Sequence, residues 1–431
     1  MSATVTLARG AIRGGERKTP DALRVMLVVL VVLSLAWGAV AALTADQHAS
    51  AAADVVAVSE PLSLDAEQIY TSLSDADATA ANAFLAGGLE PAAARQRYQA
   101  DLSAAAVRIE AASTMVGSAA ARTDHDLATL SADMPVYAGE VETARADNRL
   151  GLPLGAAYLR EASALLRGDM LPAANDIYTT EDAQLTSASA QATGLPLMVI
   201  AILIGLGIGY VLLRTSRWLA RHTHRVLNAG LVVALLAVVV SLVWLASAFA
   251  TGRGDLLHAQ QYGSGPAQAF ARADVAALQA HADENLTLID NSGDDSYQAD
   301  FLTQQKLLGP GTGTLLAAVT TAPLVAGAPG PAVVADAQAW YKAHAALRAQ
   351  DDGGAHAAAV NSALGGASAA RFATLSSALE SGITAHQTVF ASSARGGRDA
   401  FTGLEIGMIV ASLVMAASCA WGLTRRLAEY R

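Results

Sequence analysis

The chain has 431 residues, 53% of them hydrophobic and 15% charged, with one cysteine and a formal net charge of −10 at pH 7. A single thiol, Cys419, excludes any disulfide within the chain and any Cys-based zinc site. The acidic balance disfavours nucleic acid and small anions as partners and tolerates basic ones.

Four apolar runs punctuate the sequence: VMLVVLVVLSLAWGAVAAL from position 25, LPLMVIAILIGLGIGYVLL from 195, VLNAGLVVALLAVVVSLVWLASAFA from 226 and LEIGMIVASLVMAASCAWGL from 404. Each supplies the roughly 20 residues that a helix needs to cross a hydrocarbon core of about 30 Å. Single spans of this kind must be helical, because lipid offers backbone amides no partner. The sequence therefore predicts transmembrane helices at 25–44, 194–213, 226–250 and 404–423. The first run has a basic start and an Ala39-Val40-Ala41 site, as a signal peptide would, but its apolar stretch is longer than a usual signal core and favours an uncleaved anchor.

Basic residues set the orientation. Arg9, Arg13, Arg17, Lys18 and Arg24 precede the first span; Arg214, Arg217, Arg221 and Arg225 lie between the second and third; Arg425, Arg426 and Arg431 follow the fourth. Only Glu16, Asp21 and Glu429 oppose them. Both termini (1–24 and 424–431) and the 214–225 loop are expected in the cytoplasm, with segments 45–193 and 251–403 outside.

Those two segments are rich in alanine, the best helix former and a poor strand former. In the first, helices are expected over 65–84, 91–115 and 122–146, with breaks at Gly87-Gly88 and Gly151-Leu152-Pro153 and a last helix or broken pair leading into the second span. The second breaks at 309–313, at 328–331 and at Asp351-Asp352-Gly353-Gly354, with a short helix between the first two breaks. The expected fold is an all-α membrane protein with four spans and two tandem extracytoplasmic modules resembling four-helix bundles.

Order along the two halves points to internal duplication. Tyr98-Gln99-Ala100-Asp101 matches Tyr297-Gln298-Ala299-Asp300; Tyr137 precedes Arg145 and a glycine turn as Trp340-Tyr341 precedes Arg348 and Gly353-Gly354; Asp77 pairs with Asp274. Tyr98, Gln99, Asp101, Tyr297, Gln298 and Asp300 are candidates for equivalent partner surfaces, set against plain helix packing of the tyrosines.

Catalytic signals are missing. No nucleophile stands near a base, no glycine-rich loop precedes a Lys-Ser or Lys-Thr pair, and His281 and Glu284 share a helix face without an evident third ligand. No enzyme activity, metal or cofactor is expected. Gly205 and Gly209 form a GxxxG in the second span, suited to close packing among the spans or in a homodimer. No span carries a central ionisable residue, which argues against a solute pathway. Arg214, Arg217, Arg221 and Arg225 suit anionic membrane lipids and also a cytoplasmic docking partner.

The stretches IYTSLSDADATAANAFLAGG (from Ile69), AAYLREASALLRGDMLPAANDIY (from Ala156) and ARADVAALQAHADENLTLI (from Ala271), in this four-span frame, resemble an actinobacterial family of membrane signalling proteins. That family links a glutamine- or glutamate-binding lipoprotein to the soluble Ser/Thr protein kinase G. The resemblance implies a solute-binding lipoprotein as partner outside and a Ser/Thr kinase as partner inside. By architecture, each outer module also resembles the four-helix sensor of bacterial chemoreceptors. The function expected is a signal-transducing adaptor; a non-switching envelope scaffold and a transport accessory protein are the alternatives.

Overall fold

The computed structural model describes residues 19–88, 90–115, 121–223, 228–290 and 295–428. It is 90% helical, with no strand among the described residues, as the alanine content dictates. Helix α1 (Thr19–Asp54) passes through a π-helical turn (Val55–Ser59) into α2 (Glu60–Leu85). Then come α3 (Ala92–Met115), α4 (Ala121–Arg149), α5 (Leu154–Leu165), a second π turn (Leu166–Met170) and α6 (Leu171–Ala192). After α7 (Pro196–Thr223) and α8 (Ala229–Ala259), a third π turn (Gln260–Ser264) leads into α9 (Gly265–Asp290). Next are α10 (Ser296–Leu308), α11 (Leu315–Thr321), α12 (Ala332–Asp352), α13 (His356–Leu364), α14 (Ala367–Asp399) and α15 (Leu404–Ala428).

The chain divides into two units. The described parts of Met1–Ala51, Gln191–Gly254 and Gly397–Arg431 form one, the span unit. Ala52–Ala190 and Asp255–Gly396 form the other, the polar unit.

Four helices are long and apolar enough to cross a membrane, and they are compatible with a multi-pass membrane protein. Within the span unit, small residues allow close approach. Gly38 of α1 meets Ser412 of α15, and Gly230 of α8 meets the backbone of Ser418 and Gly422. A Cβ on Gly205 would come within 2.7 Å of Leu242 and 2.8 Å of Trp37, whereas one on Gly209 would make ordinary contact with Val238 at 3.7 Å. The GxxxG thus faces α8 of its own chain. Trp37 Nε1 donates to Ser241 Oγ at 3.4 Å, so the indole's one polar atom is satisfied. Leu203, Val240 and Ile406 remain exposed on this unit, where lipid would cover them. Helix α7 does not end at Leu213 but runs to Thr223, because residues 214–223 contain no glycine or proline.

In the polar unit each half builds its own core. Leu73, Ile109, Leu130, Tyr137, Leu159 and Ile177 belong to the first, Phe270, Phe301, Val333, Trp340, Leu375 and Leu379 to the second. The halves are joined along α2 and α9, where Ala78, Leu278 and Ala282 form a cluster of their own. These two helices are buried on nearly every face, and runs such as Ala80-Ala81 and Ala276-Ala277 make this feasible.

The duplication is sharper in the fold than in the sequence. Each half starts with a π turn followed by a 26-residue helix, α2 or α9. Tyr98 packs against Tyr137, and Phe301 against Trp340, each member 203 residues after its counterpart. The same interval separates Arg145 from Arg348 and the positive-φ glycine Gly151 from Gly354. The match of Tyr98 to Tyr297 is therefore one helical turn out of register. Phe301, not Tyr297, is the core counterpart of Tyr98. Polar identities in Ala-rich helices are cheap, whereas a large buried ring must keep its place.

Candidate functional site

Carboxyls are seldom fully buried unless paired, yet α2 and α9 bury several. Asp65, Glu67 and Asp77 on α2, and Asp274, Asp283 and Glu284 on α9, are each at most 8% exposed. Asp65 accepts from Arg108 Nη1 at 2.7 Å, and three arrangements accommodate the other five.

The first is a bridge between the halves. Arg167, in the π turn between α5 and α6, lies 3.3 Å from Asp77 Oδ2 through Nε and donates to Asp283 through Nη1. Ser163 Oγ donates to Asp77 at 3.0 Å. One guanidinium thus serves one carboxyl from each central helix. Burial pushes the Asp283 carboxyl up to about 7, against the pull of Arg167.

The second surrounds Glu284, whose side chain is inaccessible. His344 Nδ1 of α12 donates to Oε2 at 2.8 Å, Ser368 Oγ of α14 donates to the same oxygen at 2.7 Å, and His281 Nδ1 lies 3.6 Å from Oε1. Phe301 stacks on His344 at 3.5 Å and Phe372 on His281 at 3.9 Å, which fixes both rings. Burial alone would raise the Glu284 carboxyl, but hydrogen bonds and charge from His281 and His344 outweigh it and hold it at about 2. The ligand-like spacing of His281 and Glu284 is thus absorbed into a carboxylate–imidazole cluster. Among the described residues no group of three or more His, Cys, Asp or Glu side chains is arranged to hold a metal ion.

The third is a cavity of about 330 Å³ between α2 and α3 of one half and α9 and α14 of the other. Its wall carries Glu67, Asp75, Asp101, Asp274 and Glu380. Burial pushes Glu67 up to about 7. Burial and the neighbouring Asp75 do the same to Asp101, and burial with Glu380 and Asp75 lifts Asp274 well above the carboxylate range.

The residues singled out in the sequence are dispersed over these features. Tyr98 is 2% exposed, with the Arg145 guanidinium 4.1 Å above its ring, and so contributes no outer surface. Gln99 and Asp300 are exposed, whereas Asp101 lines the cavity. Tyr297 is half-buried against the first half's core, and Gln298 Oε1 lies 3.2 Å from His344 Nε2. The two Tyr-Gln-Ala-Asp motifs do not form equivalent surfaces. In the span unit Arg214, Arg217 and Arg221 are exposed along one side of α7 and border a cleft of about 340 Å³ with Tyr210, Leu213 and Trp218. Arg225 lies outside the described residues.

Arg167, His344, Ser368 and Glu380 escaped the sequence reading. Their one signal was the recurrence of acids among the alanines of α2 and α9, which reads equally as a solvated face.

Residues 51–190 match the model of the actinobacterial sensor domain family. No curated protein and no solved structure matches the chain. The sensor domain and the four apolar helices together fit an actinobacterial membrane sensor.

Proposed function

We propose that the protein is a non-enzymatic relay that reads a condition outside the membrane and passes it to a partner inside. The observation that carries this is Arg167, held between Asp77 of one half and Asp283 of the other. A joint made of charged hydrogen bonds has discrete alternative pairings, whereas an apolar one would not be switched by redistributing charge. Asp77 and Asp283 lie on α2 and α9, the segments that follow the first and third apolar runs along the chain. An outer partner that prefers one pairing would shift the population by its difference in affinity.

In the finer form of the proposal, the outer partner is a solute-binding lipoprotein reporting amino-acid status. The inner partner is a Ser/Thr kinase that meets the basic stripe Arg214, Arg217 and Arg221, with both termini on the same side. The absence of catalytic signals in the sequence supports an adaptor over an enzyme.

Two measurements test it. In correctly inserted protein, Arg214→Ala with Arg217→Ala and Arg221→Ala is expected to reduce co-purification of the kinase at least tenfold; undiminished recovery removes the stripe as docking site. A cysteine pair at Ala78 and Ala282, once oxidised, is expected to abolish the kinase response without loss of folded protein. A response that survives the cross-link would mark the protein as a scaffold.

A further inference from the structure

Two carboxyls of the acidic cavity each have an oxygen with no internal partner. Arg97 donates to Asp75 at 2.8 and 3.1 Å and lies 3.9 Å from Glu380, so those two carboxylates share a cation. Gln387 Nε2 donates to Glu67 at 3.2 Å. Asp274 is 4% exposed, lines the cavity, and its Oδ1 has no hydrogen-bond partner. Asp101 Oδ2 is likewise unpartnered. A buried carboxyl oxygen without a donor is costly and normally finds one.

The space and its wall say what kind of donor fits. A cavity of about 330 Å³ is far larger than the roughly 30 Å³ of a water molecule, so a small organic molecule can enter. Leu278 and Ile383 supply an apolar patch for methylene groups beside the acids, and Thr71, Ser72 and Thr384 supply hydroxyls. The described acids are not grouped as a metal site. A primary ammonium, with three donors and a positive charge, satisfies several carboxyl oxygens at once.

We propose that this cavity binds a small organic cation bearing a primary ammonium group, which Asp274 and Asp101 receive, with its carbon chain against Leu278 and Ile383. Free basic amino acids and aliphatic diamines share that chemistry. Because the wall is built from both halves, an occupant holds α2 and α3 to α9 and α14. The consequence for signalling rests on the relay proposed above; binding itself does not.

The test is calorimetric titration of the full chain in nanodiscs, without any partner protein, with lysine, arginine, putrescine and calcium chloride in separate arms. At least one amine is expected to bind, and the arm that does so identifies the source. Asp274→Asn and Asp101→Asn are each expected to weaken that binding tenfold or more. Both should leave the unfolding transition intact, since each replaces a carboxyl that has an unpartnered oxygen with a neutral amide of the same size. No binding by any of the three amines at millimolar concentration, binding by calcium alone, or unchanged affinity in folded Asp274→Asn would each overturn the proposal. A cavity that binds an amine while kinase association stays insensitive to it would sink the relay and leave the site standing.

Discussion

Arg167→Ala is expected to destabilise the polar unit by about 3–5 kcal/mol, the usual cost of removing one partner from a buried ion pair. Arg167 is about one-fifth exposed, but its partners are not: Asp77 and Asp283 are 6% and 1% exposed at the side chain. Without the guanidinium, both must protonate or remain charged with little solvent. Ser163 still donates to Asp77, so the greater loss falls on Asp283, whose carboxyl is already pushed up to about 7. Adding Asp283→Asn to Arg167→Ala is accordingly expected to recover a substantial part of the loss, which a purely steric role for the arginine would not allow. Trp340 is the one tryptophan of this unit, and its fluorescence in a variant lacking the other four reports the urea midpoint directly. Arg167→Lys separates charge from geometry: an ammonium cannot span two carboxyls as a guanidinium fork does, so partial rescue is expected. Rescue to the wild-type midpoint would show that net charge alone is required.

Periodicity and punctuation located most of the helices, but they could not show what each face meets. The short helix Leu315–Thr321 sits between glycine and proline breaks that are legible by eye. The extension of α7 past Leu213 was hidden because four arginines read as a topological signal, although arginine is itself a good helix former. Harder still were α2 and α9. An alanine-rich helix with acids on one face looks solvated, and nothing within residues 60–85 states that a second such helix will cover that face. Arg167 lies 90 residues from Asp77 and 116 from Asp283, so no local window contains the pairing that explains them. The same holds for Glu284, where His281 is a sequence neighbour but His344 and Ser368 are 60 and 84 residues away. Even the duplication was legible only to within one turn, because its register is carried by buried aromatic pairs across helices.

Glu284→Gln is expected to remove one limb of the stability–pH profile. In the folded protein the Glu284 carboxyl is held at about 2, below its ordinary 4.5, by His281 and His344 against the opposing effect of burial. The folded state then binds fewer protons than the unfolded state between these values, so stability falls as pH drops from about 4.5 to about 2 and is complete above that window. Glu67 and Asp283 act in the opposite sense, since burial lifts both to about 7. They retain protons on folding, so their effect favours the folded state at low pH and is lost as pH rises toward and through 7. The wild-type urea midpoint is therefore expected to peak near the ordinary carboxyl range and to decline on both sides. Glu284→Gln keeps an acceptor for Ser368 and His344 but loses the charge; it should flatten the acid limb and leave the neutral limb unchanged, while Glu67→Gln should make the neutral limb shallower, Asp283 and Asp101 still contributing, and leave the acid limb unchanged. Glu284→Ala, which strips the acceptor from the His344 imidazole and the Ser368 hydroxyl at once, is expected to cost about 3–5 kcal/mol at neutral pH. An acid limb that persists undiminished in Glu284→Gln would show that the cluster around Glu284 is a packing feature without electrostatic weight.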